Sequence, residues 1–248
     1  MATPRFYCPN NLLIGNFLPG SNMQLPDNAA SHAVRVLRMQ AGEKVILFNG
    51  DGADYLAELT LVSKNAVAAK IISSQTVDNE SPLKITLLQG ISSGDRMDFT
   101  IQKAVEMGVS QIQAISTQRS VVRLSAERAE KRLEHWKNVI ISACEQSGRA
   151  FVPEISSPVS LAQWFSKKPM FDLGITLAPS AAQSLKQLAK PAGNICLLVG
   201  AEGGLTDDEI DLASSQGFKP VTLGKRILRT ETAPLAAIAA IQTLWGDF

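Results

Sequence analysis

The sequence predicts a small β domain followed by an α/β domain of about five or six strands. Three observations predict it. Residues 1–75 carry short apolar runs set off by turn signals, with a single helix-like stretch. From Leu83 onward, apolar runs of strand length alternate with amphipathic helical stretches, the pattern of a parallel sheet covered by helices. The C-terminal stretch holds two strand–glycine–helix joints, and α/β proteins build ligand sites at the carboxyl ends of strands in this way.

Composition bounds the reading. The 248 residues are 45% hydrophobic and carry a formal charge of +1, which suits a soluble protein of one or two domains with ample core. There is no apolar run of membrane-spanning length and no signal-peptide pattern at Met1–Arg5. The near-neutral total excludes a uniformly basic surface but leaves room for a local basic face, which is what a polyanion feels. Cys8, Cys144 and Cys196 are far apart, odd in number and lack metal spacing. They read as reduced thiols of a cytoplasmic protein, with no metal site.

In the first domain, Lys44–Phe48 reads as a strand, and Asn49-Gly50-Asp51-Gly52 is a strong turn signal. Tyr55–Val62 and Ala66–Ile72 are further strands around a Ser63-Lys64-Asn65 turn. Ala29–Met39 is the one helix, with Val34, Val36 and Leu37 facing inward, and Met23–Asn28 is a loop. Short strands, turns and one helix suggest a small barrel. Val77–Pro82 is polar, aperiodic and ends in proline, which marks a boundary between domains at 1–75 and 76–248.

In the second domain, Leu83–Gln89 reads as a buried strand and Gly90–Arg96 as a loop. Met97–Met107 is a helix with Phe99, Ile101, Ala104, Val105 and Met107 inward, closed by Gly108. Val109–Ile115 is the next strand, and the loop Ser116–Arg123 follows. Ser125 caps a helix over Ala126–Gln146, ended by Gly148, with Leu133, Trp136, Val139, Ile140 and Ala143 as its buried stripe. His135 reads as a surface residue. Leu161–Phe165 is a short helix, Phe171–Leu177 a strand and Ala182–Leu188 a helix.

The two joints carry the chemistry. Ile195–Val199 is a continuous apolar run, so it reads as a strand buried on both faces. Gly200, Gly203 and Gly204 let a ligand approach the main chain. Thr206-x-x-Glu209 has capping-box spacing, so a helix starts at Asp207. A plain strand-turn-helix joint would explain this stretch alone. In the second joint, Val221–Leu223 is a strand followed by Gly224, Thr232 caps a helix and Pro234 sits in its first turn. Leu235–Trp245 is apolar nearly all round, as in a helix buried in the core or between subunits. The stretch Lys225–Thr232 between them is dense in charge and hydroxyls, and charges beside a buried helix need partners.

The pair Gly-Ala-Glu-Gly-Gly-Leu-Thr (200–206) and Leu-Gly-Lys-Arg-Ile-Leu-Arg-Thr-Glu-Thr-Ala (223–233) resembles the signature of the RsmE family, bacterial SPOUT-class methyltransferases that methylate N3 of a uridine in 16S ribosomal RNA. The resemblance extends to Arg5-Phe6, His32, Val36-Leu37-Arg38, Gly42, Gly94–Asp98, Arg119–Val122 and Glu145–Arg149. Ala201 stands where proline is usual, and Ala114 and Gln118 where proline and glutamate are commoner. Ala178 replaces a histidine, so no catalytic histidine is placed there.

The resemblance implies an N-terminal PUA-like β-barrel that binds RNA and a C-terminal SPOUT domain tied in a trefoil knot. It implies S-adenosylmethionine in the knot loops, held by Leu177, Gly200, Glu202, Gly203, Leu223, Gly224, Ile227, Leu228 and Thr230. It also implies a homodimer acting on the small ribosomal subunit. In that setting Arg229 is the cation that favours an anionic uracil, with Glu231 or Glu202 orienting it or accepting the proton; mutual pairing of Arg229 and Glu231 is the structural alternative. Arg5, Arg35, Arg38, Arg96, Lys103, Arg119, Arg123 and Arg149 would position the phosphate backbone, with ion pairs or a solvated face as the alternative. Two other functions remain open: a SPOUT enzyme for another RNA such as tRNA, and a non-catalytic RNA-binding assembly factor.

Overall fold

The structure is a computed structural model that describes residues 3–9, 17–64 and 66–248. The chain divides into two compact units, Met1–Glu80 with Cys144–Val152, and Ser81–Ala143 with Pro153–Phe248.

The first unit contains strands β1 (Arg5–Tyr7) and β2 (Asn22–Gln24), helix α1 (Asp27–Ser31), a π-helical turn (His32–Val36), and strands β3 (Lys44–Phe48), β4 (Ala53–Val62) and β5 (Val67–Thr76). They form one sheet in the order β1-β3-β4-β5-β2, in which only β1 and β3 run parallel. Alternate residues point inward, as a half-buried sheet requires: Val45 and Leu47, then Tyr55, Ala57 and Leu59, then Val67, Ala69 and Ile71. Phe6, Met23, Leu25 and Ala33 complete that core.

Local chemistry accounts for the departures from expectation. The helix expected over Ala29–Met39 starts at Asp27, widens into the π-helical turn and stops, and Arg38 has φ 54°. The wider turn rotates the inward face onto Ala29 and Ala33. Val36 and Leu37 are therefore exposed, not inward. Met23–Asn28 is not all loop: Met23 belongs to β2 and, like Leu25, is buried. Asn65 of the expected turn lies outside the described residues.

The second unit runs β6 (Lys84–Gly90), α2 (Gly94–Glu106), β7 (Val109–Ser116), α3 (Ala126–Ser147, its last residues counted with the first unit), β8 (Glu154–Ser160), α4 (Leu161–Ser166) and β9 (Leu173–Leu177). It continues with a short 3-10 turn (Leu185–Gln187), β10 (Asn194–Val199), α5 (Asp207–Ser215), β11 (Phe218–Val221) and α6 (Thr232–Trp245). The six strands form a wholly parallel sheet in the order β11-β9-β10-β6-β7-β8. β10 lies inside it, and every residue from Ile195 to Val199 is buried. Gly174 in β9 is a packing requirement: a Cβ there would lie 2.6 Å from the Phe218 ring, which meets Trp164, Phe165 and Phe171 edge to face.

β8 was not expected. It contains Ser156-Ser157-Pro158, but β8 is an edge strand that among the described residues pairs only with β7, where proline is tolerated. The helix expected at Ala182–Leu188 shrinks to the 3-10 turn. α2 begins at Gly94, so Arg96 sits in its first turn and not in a loop, and Phe99 is exposed. β11 ends at Val221, which leaves Leu223 in the following loop. Thr232 is the first residue of α6; the capping position is Glu231, whose side chain makes no cap bond.

α6 packs on α2 and β10. Its buried Gln242 donates to Met107 O at 2.9 Å and accepts from Ser81 Oγ at 2.8 Å. Among the described residues, no helix is long and apolar enough to cross a membrane, and no three His, Cys, Asp or Glu side chains gather as a metal site. The three thiols are free, and burial first of all pushes each up to about 12, so they are unreactive at neutral pH. Replacing Gln242 by leucine should strand the Met107 carbonyl and the Ser81 hydroxyl. We expect a loss of ~1–3 kcal/mol in urea denaturation.

Candidate active site

A cavity of about 550 Å³ opens where β9, β10 and β11 end. Three chain segments wall it: Leu177–Pro179, Val199–Leu205, and residues of the 221–233 stretch. Main-chain bonds tie these segments together. Ala178 N donates to Val221 O at 3.0 Å, and Thr222 N donates to Gln183 O at 2.9 Å. The Thr230 hydroxyl donates to Gly200 O at 2.9 Å.

The turn after β10 has no room for side chains. A Cβ on Gly200 would stand 2.6 Å from the Gly204 carbonyl carbon, and one on Gly203 would stand 2.7 Å from Arg119 Cβ. Gly224 has φ +113°, a region L residues rarely adopt. The capping box that starts α5 is present: the Thr206 hydroxyl accepts from Glu209 N at 3.2 Å, and the Glu209 carboxylate accepts from Thr206 N at 2.9 Å. Glu209 is buried and also accepts from Gln118 N at 2.9 Å, which fastens the loop after β7 to the same turn.

Every residue placed at the cofactor site from sequence lines this cavity: Leu177, Gly200, Glu202, Gly203, Leu223, Gly224, Ile227, Leu228 and Thr230. Arg229 and Glu231 line it too. Thr230 turns its hydroxyl to the Gly200 carbonyl, so it acts on the wall itself. Ile227 is 85% exposed at the rim.

The charges are arranged around Arg96. Its Nη1 donates to Glu202 Oε1 at 3.3 Å, and its Nε stands 4.0 Å from Glu231 Oε2. Glu202 Oε1 also accepts from Ser93 N and Ser93 Oγ, both at 2.9 Å. Burial acts to raise the Glu202 carboxyl, but the hydrogen bonds from Ser93 and Arg96 outweigh it and hold the group below its ordinary value. The expected alternative, an Arg229–Glu231 pair, does not form; Glu231 faces Arg96 instead. Glu202 Oε2 and Glu231 Oε2 are buried without hydrogen-bond partners.

The eight candidate phosphate contacts scatter. Arg96 and Arg119 line the cavity, and Arg119 is anchored by donation to Leu205 O at 3.0 Å. Arg35, Arg38 and Arg123 are exposed. Lys103 pairs with Glu106 at 2.7 Å along α2. Arg5 lies over the Phe48 ring at 4.9 Å, pairs with Asp54 and donates to Arg149 O at 3.3 Å. Arg149 is buried and binds Glu80 through two nitrogens. Arg5 and Arg149 are thus committed inside the first unit, because a buried guanidinium needs a carboxylate beside it. Arg96 as a cavity residue was hidden by reading Gly90–Arg96 as a loop; Ser93 at the capping position of α2 was the available signal.

The chain is similar to known RNA methyltransferases. The family described as RNA methyltransferase domain matches residues 79–242, and that described as RNA methyltransferase PUA domain matches residues 25–72. A solved structure of ribosomal RNA small subunit methyltransferase E from Neisseria gonorrhoeae, bound to S-adenosylmethionine, is 48% identical over 100% of both chains with a TM-score of 0.90. A methyltransferase from Legionella pneumophila, in complex with the same cofactor, is 40% identical over 100% of both chains with a TM-score of 0.94. Ribosomal RNA small subunit methyltransferase E of Buchnera aphidicola is 33% identical over 99% of this chain and 95% of its own length.

The cavity fits that cofactor. Two buried carboxylate oxygens without donors suit a ligand with an ammonium group and a sulfonium. Leu177, Val199, Leu223 and Leu228 supply apolar wall for an adenine. The lowered Glu202 carboxyl gives a testable sign. Its contribution to stability is present above the ordinary value of 4.5 and is lost as pH falls through the lower folded value. Glu202→Gln should therefore be less stable than the parent at pH 7. The gap should close in urea denaturation as pH drops below the carboxylate range.

Proposed function

The chain belongs to the ribosomal RNA small subunit methyltransferase E family, and from that membership and the cavity we propose that it methylates N3 of a uridine in the 16S RNA of the small ribosomal subunit. It is an S-adenosylmethionine-dependent methyltransferase of the SPOUT class, whose C-terminal chain forms a trefoil knot, with a PUA-like region before it. Knotted chains are rare, and here the knot segments are the ones that wall the cavity.

When bound, the cofactor supplies a methyl group already activated on sulfur, so the chain's own residues have three tasks. They must hold uracil N3 in line with that methyl carbon, take the N3 proton, and favour the resulting anion. With the N3 proton taken by a carboxylate of the chain, the nitrogen lone pair would receive the methyl group and the cofactor would leave as a neutral thioether.

Arg229 suits the third task, because it lines the cavity and is exposed, and among the described residues no acidic side chain pairs with it. Glu231 suits the second. Glu231 and Glu202 both have a buried Oε2 that accepts no hydrogen bond, but the three donors on Glu202 Oε1 hold that carboxyl below its ordinary value and make it the weaker base. Glu202 therefore orients Arg96, and Arg96 in turn places Glu231. Arg35, Arg38, Arg119 and Arg123 supply cationic contacts for phosphates, since each is exposed. Two copies form the working enzyme: the outward side of α6 leaves Leu235, Ala239 and Ala240 half-buried and Leu244 exposed in the single chain, an apolar face for a partner. The setting is the cytoplasm, where the ribosomal subunit is found.

The observation that carries this reading is the convergence of every expected cofactor residue on one cavity. The test is transfer of labelled methyl to small subunits from cells lacking this protein, with the modified nucleoside identified. We expect 3-methyluridine in 16S RNA; label found only in tRNA would move the target. In the same assay Arg229→Ala and Glu231→Gln should each lower kcat by about 10²-fold or more while the affinity for cofactor changes little. Arg229→Ala with unchanged turnover would remove its role.

A further inference from the structure

Gln89 is the last side chain of β6 before Gly90, fully buried, and absent from the cavity wall. Its Nε2 donates to three oxygens: Gly90 O at 3.1 Å, Thr230 Oγ1 at 3.4 Å and Gly200 O at 3.5 Å. The surroundings dictate this orientation of the amide. Carbonyls can only accept, and the Thr230 hydroxyl spends its proton on Gly200 O, leaving a lone pair for Gln89.

The opposite end of the amide is unsatisfied, since Gln89 Oε1 is buried without a donor. A leucine would fill this position among apolar strand residues with no such orphan. What the amide supplies that leucine could not is its N–H groups, which reach two segments of the cavity wall at once. The backbone around it is packed to the limit. A Cβ on Gly90 would lie 2.4 Å from Ala201 N and 2.7 Å from the Gly200 carbonyl carbon. The turn carrying Glu202 thus rests directly on the end of β6.

We infer that Gln89 is a positioning residue for cofactor binding, acting through Thr230 and the Gly200 carbonyl to lock the 199–205 turn against the 222–231 loop. Among the described residues the other side-chain link between the two segments is Arg96, which stands between Glu202 and Glu231 at 3.3 and 4.0 Å. Without the Gln89 clamp the two walls are held less firmly, and the ligand must supply the order itself, which lowers affinity.

The inference rests on the cavity being the cofactor site, so the experiment tests both separately. Calorimetric titration with S-adenosylmethionine is run on the parent chain, Gln89→Leu, Thr230→Val, Thr230→Ser and the double variant Gln89→Leu/Thr230→Val, with steady-state kinetics alongside. The expected Kd rises ~10-fold in Gln89→Leu and in Thr230→Val, and in the double variant by much less than the product of the two. Thr230→Ser recovers most of what Thr230→Val loses. The kinetic loss falls on KM for the cofactor and not on kcat. A parent chain that binds no cofactor sinks the premise. A parent that binds, with Gln89→Leu or, should that variant not fold, Thr230→Val binding equally well, overturns the inference. So do two single effects that multiply independently.

Discussion

The site depends on one close approach of backbone to backbone. β6 and β10 are neighbours in the parallel sheet, and at their carboxyl ends the chain at Gly90 comes so near the Gly200–Ala201 peptide that no Cβ could stand between them. Gly200 repeats the constraint against Gly204, and Gly203 against Arg119. The floor at Gly200, Gly203 and Gly204 is therefore main chain, beside the apolar residues Leu177, Val199, Leu223 and Leu228. The buried amide of Gln89 and the hydroxyl of Thr230 then fix the gap that the glycines allow.

From that floor the electrostatics follow. Ser93 and Arg96 lie at the start of α2, which follows β6, and both reach Glu202 in the turn after β10. Arg96 also faces Glu231, the residue before α6. One arginine thereby sets two carboxylates with different work available to them. Each keeps one buried oxygen without a hydrogen bond, but three donors meet Glu202 Oε1 and hold that carboxyl below its ordinary value. Arg229 lines the same cavity and is exposed. Such division of labour by environment is how chemically identical carboxylates acquire separate roles.

Much of this was legible in the residues. The apolar run Ile195–Val199, the glycines after it and the Thr206/Glu209 spacing each have one physical meaning, and the strand, turn and capped helix follow. The cavity lining was readable once the resemblance was added to that joint. What was not readable depends on partners distant in sequence. β8 holds its place only because β7 offers an edge to a segment rich in serine with a proline in it. The π-helical turn at His32–Val36 turned Val36 and Leu37 outward against their hydropathy. Arg5 and Arg149 read as nucleic-acid contacts because nothing local revealed Asp54 and Glu80 waiting for them. Gln89 was invisible for the same reason: a lone amide at the end of an apolar strand gains meaning only from Gly200 and Thr230, more than a hundred residues on.

The central claim is that three C-terminal segments, held by backbone contact at Gly90 and Gly200, form most of the wall of the proposed cofactor site. Hydrogen exchange of the full chain with and without S-adenosylmethionine tests it most directly. The account predicts slowed exchange at 177–179, 199–205 and 222–231, with the strands of the first unit unchanged. Protection centred in the first unit, or none in the 199–205 turn under saturating cofactor, would contradict it.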